Sequence, residues 1–98
     1  VFRMTLQHLN NPPVEMWSFP GDQTSYGAPG SLVCAPGVAS GGNSVLVYFR
    51  CGDCGVEEAR IVDAGGIVQR PKLSIGAYGF VTLAFDTEGN MFGLHSLK

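Results

Sequence analysis

The feature that most constrains this chain is a stretch near its middle with almost nothing to bury. Between Pro36 and Ser44 lie three glycines and two serines. Such a segment cannot recover the entropy of ordering its backbone and reads as a linker. Packed structure therefore has to be built separately on its two sides, and the two sides read differently. Before it, Phe2 to Leu9 and Val14 to Phe19 alternate with the period of half-buried strands. The turn Asn10-Asn11-Pro12-Pro13 joins them as a hairpin, and the loop from Pro20 to Pro29 leads to a third short strand at Ser31 to Ala35.

After the linker the order is strand, helix and three strands. Val45 to Cys51 is β-branched and aromatic. Asp53 or Gly55 can open a helix whose Val56, Ala59, Ile61 and Val62 fall at helical spacing up to Ala64, with Glu57 and Glu58 favourably placed in its first turn. Gly65-Gly66 stops it. Ile67 to Lys72, Phe80 to Phe85 and Met91 to Leu97 complete the set, the last two joined by Asp86-Thr87-Glu88-Gly89-Asn90. The chain is thus expected to be α+β and rich in sheet.

Composition narrows the function classes. With 98 residues there is chain for one small domain. Six Lys and Arg against eight Asp and Glu give a net charge of −2, which offers phosphates no attractive field, so no nucleic-acid partner is expected. No apolar run reaches the roughly 18 residues that a membrane helix needs. The start Val-Phe-Arg-Met-Thr has no signal-like apolar core, and a cytoplasmic location with no membrane partner is expected. Cys51 and Cys54 form a C-x-x-C with only Cys34 besides, too few thiols for a four-cysteine zinc site, so reduced structural cysteines are expected.

Several residues of the second half carry a resemblance: Asp53, Ala64-Gly65-Gly66, Pro71-Lys72, Gly76-Ala77-Tyr78-Gly79-Phe80, and Phe85 through Asn90 with Leu94. In these the chain resembles the vicinal oxygen chelate superfamily, home of glyoxalase I, bleomycin-resistance proteins and extradiol dioxygenases. The resemblance implies a fold of paired βαβββ modules around a ligand cleft. Residues 1–36 would be a first module lacking its first strand and helix, 37–44 the linker, and 45–98 a complete module. Phe19-Pro20-Gly21-Asp22 would be a loop of the short members.

The resemblance also locates a site. It puts the metal-ligand positions of the complete module at Leu46 and Gly93, neither of which can coordinate a cation, while the first module's last strand offers only Cys34. No cofactor is therefore expected, and a divalent metal is disfavoured. What the resemblance leaves is a cleft lined by Leu46, Tyr48 and Arg50 from one strand, His95 from the last strand, His8 from the first module, and Trp17 for stacking on a planar ligand. His95 is expected to serve ligands that carry an acceptor. Arg70 and Lys72 beside Pro71 read equally well as a hold for an anion or as ordinary edge-strand charges. Asp53, Glu57 and Arg60 read as a solvated helix face. Asp86 and Glu88 are too few carboxylates for a calcium loop, so that turn is expected to be scaffold.

The expectation for function is binding of a small planar or apolar molecule without metal, as in resistance or sequestration. The alternative is a metal-dependent lyase or dioxygenase. Omitting a strand and its covering helix leaves edges that a second copy would hide, so a homodimer is expected, with module exchange through the linker and Phe2 to His8 near the contact.

Overall fold

The computed structural model describes residues 3–21, 24, 27–41 and 44–98. Phe2, Asp22 and Gly42, which enter the expectations above, lie outside the described residues. The architecture is α+β, mostly sheet with one helix, in two sheets. The chain divides into two units, Val1–Ser40 and Gly41–Lys98.

The first unit is an antiparallel meander of β1 (Gln7–Asn11), β2 (Val14–Ser18) and β3 (Ser31–Cys34), in that order. Among the described residues the first strand begins at Gln7, and Arg3 ahead of it sits at φ 52, a left-handed backbone outside the strand region. The strand also runs on through Asn11, so that Asn11 pairs with Val14 and only Pro12-Pro13 remain as the turn. Val14, Met16 and Ser18 are half-buried, while Glu15 and Trp17 on the other face are exposed. Among its described residues this unit buries none.

The second unit has a mixed sheet ordered β4-β7-β6-β5, from β4 (Tyr48–Arg50), β5 (Ile67–Ser74), β6 (Phe80–Phe85) and β7 (Met91–Ser96), with a 3-10 turn at Gly76–Tyr78. β4 is shorter than the expected Val45 to Cys51 and pairs parallel to β7, an arrangement that needs a long crossover and gets it from the intervening helix and strands. β5 extends past Lys72 to Ser74. It tolerates Pro71, which has no N–H to give, because it is an edge strand whose register shifts between Arg70 and Leu73, the interval that contains that residue.

The helix α1 (Cys54–Ile61) starts two residues earlier than the expected Val56 and ends before Ala64. Asp53 is its cap, its Oδ1 accepting from Gly55 N at 2.9 Å. Of the expected apolar positions Ile61 is buried, together with Cys54, whereas Val56 is 49% and Val62 66% exposed. Cys54, Glu58 and Ile61 follow one another at helical spacing and face the sheet. Glu58 belongs there because its Oε2 accepts from Lys72 N at 2.6 Å and from the buried Thr82 hydroxyl at 2.9 Å. A carboxylate thus serves the strand where the β5 register shifts. Gly66 N closes the C-terminal end on Ile61 O, and a Cβ at 66 would crowd Phe85 O and Ile61.

The core under α1 consists of Cys54, Ile61, Ala84 and Leu94, with Cys51, Val68, Phe80 and Phe92 half-buried around it. The buried Ser96 hydroxyl accepts from Cys54 N at 3.0 Å, tying the helix start to β7. Ala84 faces Phe92, Thr82 faces Leu94 and Phe80 faces Ser96 across β6 and β7. Strand alternation therefore assigns Val81, Leu83 and Phe85, with Gly93 and His95, to the helix-free face. The β6–β7 turn has the expected build: Gly89 at φ 81, and Asp86 Oδ1 accepting from Glu88 N and Asn90 N at 2.9 Å each. Among the described residues no helix is long and apolar enough to cross a membrane.

Candidate functional site

The parallel pairing of β4 with β7 sets Tyr48 opposite Gly93 and Arg50 opposite His95. Alternation turns all four toward the helix-free face. Sequence spacing alone separates these residues by more than forty positions, and the crossover through α1 brings them side by side. The Tyr48 ring lies across Gly93: a Cβ there would run into three of its carbons. Glycine is therefore what allows an aromatic ring to lie flat on the sheet at this point. Partial burial pushes the Tyr48 hydroxyl above its ordinary range, so it stays a neutral donor at physiological pH.

His95 adds a directed polar group. Its Nε2 lies 2.7 Å from the Tyr78 carbonyl oxygen. A carbonyl only accepts, so Nε2 carries the proton and, in the neutral ring, Nδ1 is the acceptor. Tyr78, which sequence reasoning did not place in the site, orients this ring through its backbone, and the signal for it lay only in the three-dimensional position of the 3-10 turn. Arg50 also lines a shallow recess of about 420 Å³ together with Cys51, Gly52, Leu97 and Lys98.

Leu46 precedes β4 outside the strand and is 37% exposed. His8 and Trp17 face each other across β1 and β2 in the first unit, their rings 4.9 Å apart and tilted by 49°. The indole N–H reaches Glu15 Oε1 at 3.3 Å. These two form a pair of their own on the more exposed face of that sheet. The six expected residues thus fall into two groups, Tyr48, Arg50 and His95 on β4 and β7, and His8 with Trp17 on β1 and β2, with Leu46 just ahead of β4.

Of the remaining chemistry-bearing residues, Lys72 and Cys54 serve the scaffold. Lys72 does not wait for an anion: its Nζ donates to Asp53 at 2.7 Å, and it sits 4.7 Å from the centre of the Phe80 ring. The three cysteines are free thiols, with Cys54 in the core. Burial first, and then the neighbouring Glu57 carboxylate, push the Cys51 thiol up, which disfavours the thiolate that a nucleophile or metal ligand must be. Among the described residues no three His, Cys, Asp or Glu side chains are grouped to hold a metal ion. The positions that the resemblance assigns to metal ligands carry Leu46 and Gly93, and that donor set does not fit a divalent cation. No protein-family model and no curated protein matches the chain.

Proposed function

We propose that the chain binds a small, planar, largely apolar molecule against the helix-free face of its second unit, without metal chemistry, in a resistance or sequestration role. The observation that carries this reading is the Tyr48 ring laid across Gly93 beside Arg50 and His95. Aromatic and aliphatic surface with a few directed polar groups is the usual make-up of a small-molecule site. Val81 and Leu83 supply the apolar floor, Arg50 an anion-binding fork, and His95 Nδ1 an acceptor.

Titration with indole-3-carboxylate, a planar ring bearing both an N–H donor and a carboxylate, tests it by amide chemical shifts. The shifts should concentrate on β4 and β7. Tyr48→Ala should weaken binding about five- to tenfold through lost stacking. Shifts clustered on α1, or one tightly bound divalent ion per chain whose chelation abolishes an activity, would overturn the proposal.

A further inference from the structure

The only tryptophan of the chain stands on a sheet face of the first unit that the site on β4 and β7 does not use. The register of the meander fixes its surroundings. His8, Trp17 and Leu32 form one row across β1, β2 and β3, and Asn10, Glu15 and Cys34 form the next. Alternation puts all six on one face, and all six are exposed, Trp17 by 40%.

What separates Trp17 from a stray apolar surface residue is that it is held in place. Its indole N–H donates to Glu15 Oε1 at 3.3 Å, and its ring lies 4.9 Å from the tilted imidazole of His8. The rotamer freedom that a ligand would otherwise have to remove is already restricted. The groups that hold the ring also border it. Glu15 has a second carboxylate oxygen, the Asn10 amide has both donors and an acceptor, and His8 brings its ring nitrogens. Leu32, directly across from Trp17, continues the apolar strip.

That make-up selects the occupant. The six residues include no lysine or arginine, so an anion finds no fixed cation there. An open face encloses nothing, and a flat apolar molecule would keep one side in water where a closed pocket would bury most of it. A neutral sugar ring answers both conditions. The C–H groups of one side cover the indole, the hydroxyls around its rim meet donors and acceptors, and the outer side stays hydrated. We propose that this face binds a neutral pyranose, stacked on Trp17 and hydrogen-bonded by Glu15, Asn10 and His8. The site is separate from that on β4 and β7 and does not rest on it.

The test titrates the intact chain with cellohexaose, a neutral β-linked glucan, and follows the fluorescence of its only indole. A saturable change at millimolar sugar is expected, with amide shifts on β1, β2 and β3 and none on β4 or β7. Followed by those shifts, Trp17→Ala should bind at least about tenfold more weakly, and Trp17→Phe, which keeps a smaller ring, should lose only part of the affinity. Circular dichroism checks that both remain folded, and Trp17→Phe decides if the alanine variant does not. Indole-3-carboxylate should not displace the sugar, so failure here and failure of the second-unit site are separate results. An unchanged spectrum, shifts on β4 or β7, displacement by indole-3-carboxylate, or folded variants that bind as the parent does would each overturn the proposal. So would indole fluorescence that depends on protein concentration without sugar, which would assign the face to a second copy.

Discussion

The two units of this chain are made of similar strands and end with different interiors. The second lays a helix across its sheet and buries Cys54, Ile61, Ala84 and Leu94 beneath it. Among its described residues the first has no helix and buries none. Its most apolar sheet face, Leu9, Met16 and Val33, leaves Val33 54% exposed. Alternation makes a strand amphipathic but does not make a core, since a three-stranded meander has one apolar face and needs a second layer to close it. The directed polar groups of the candidate site, Tyr48, Arg50 and His95, stand on the unit that has that layer. A rigid sheet can hold side chains in fixed relation to a ligand.

The sharpest way to break the comparison is to remove equal bulk from each unit. Leu94→Ala, which opens a cavity beneath α1, should cost about 2–5 kcal/mol, whereas Met16→Ala on the first sheet should cost less than about 1 kcal/mol. Urea unfolding of the two variants measures both. Native-state hydrogen exchange extends the contrast, with the slowest amides in β6 and β7 and fast exchange throughout β1 to β3. Similar losses for the two variants would show that the first sheet is packed as firmly as the second.

The next effect lies within the second unit and concerns Glu58, whose role hydrophobic patterning concealed. Reading Val56, Ala59, Ile61 and Val62 as the packed stripe ranks residues by apolarity, which finds Ile61 but assigns every glutamate to solvent. The structure rotates the helix so that Glu58 faces the sheet, because Lys72 N and the Thr82 hydroxyl need an acceptor there. Glu58→Ala leaves two donors without it and should cost about 1–3 kcal/mol. Glu58→Gln keeps one acceptor oxygen and should recover most of the loss. Thermal denaturation of both variants against the parent chain decides this, and equal destabilisation would place the need on the charge and not on the acceptor.

What was legible follows the same division between local and distant causes. The Asp86–Asn90 turn was readable because a side-chain cap and a left-handed glycine are properties of adjacent residues. The order of strands and helix was readable from periodicity, and the cap was narrowed to Asp53 or Gly55. The parallel partnership of β4 with β7 was not, since alternation assigns a face to a side chain and says nothing of which strand lies beside it. The candidate site was therefore half visible. Tyr48, Arg50 and His95 could be named, but the role of Gly93 as the bed for a ring and of Tyr78 as the anchor of His95 depends on contacts across the sheet.

The smallest expected effect is electrostatic, and it too belongs to the second unit alone. The Lys72 ammonium, followed by Gly55 N–H, holds the Asp53 carboxyl below its ordinary value, and the hydrogen bond from Lys72 to Asp53 holds the lysine above its own. A depressed carboxyl contributes stability above its unfolded value of about 3.9, and this is lost as the pH falls through the lower, folded value. A raised lysine contributes below about 10.4, and this is lost as the pH climbs through the higher, folded value. The pair should therefore support the fold across the whole neutral range and fail at both ends. Asp53→Asn isolates the charge, because asparagine caps a helix about as well as aspartate. Its melting temperature should fall slightly below that of the parent chain at neutral pH, and the gap should close at strongly acidic pH, where the parent carboxyl is protonated as well. Both partners are about one-third accessible, and the gap should shrink in molar salt as partly exposed ion pairs do. A gap that persists unchanged in acid would assign the contribution of Asp53 to its geometry as a cap and remove the ion pair from the account of why α1 stays docked on its sheet.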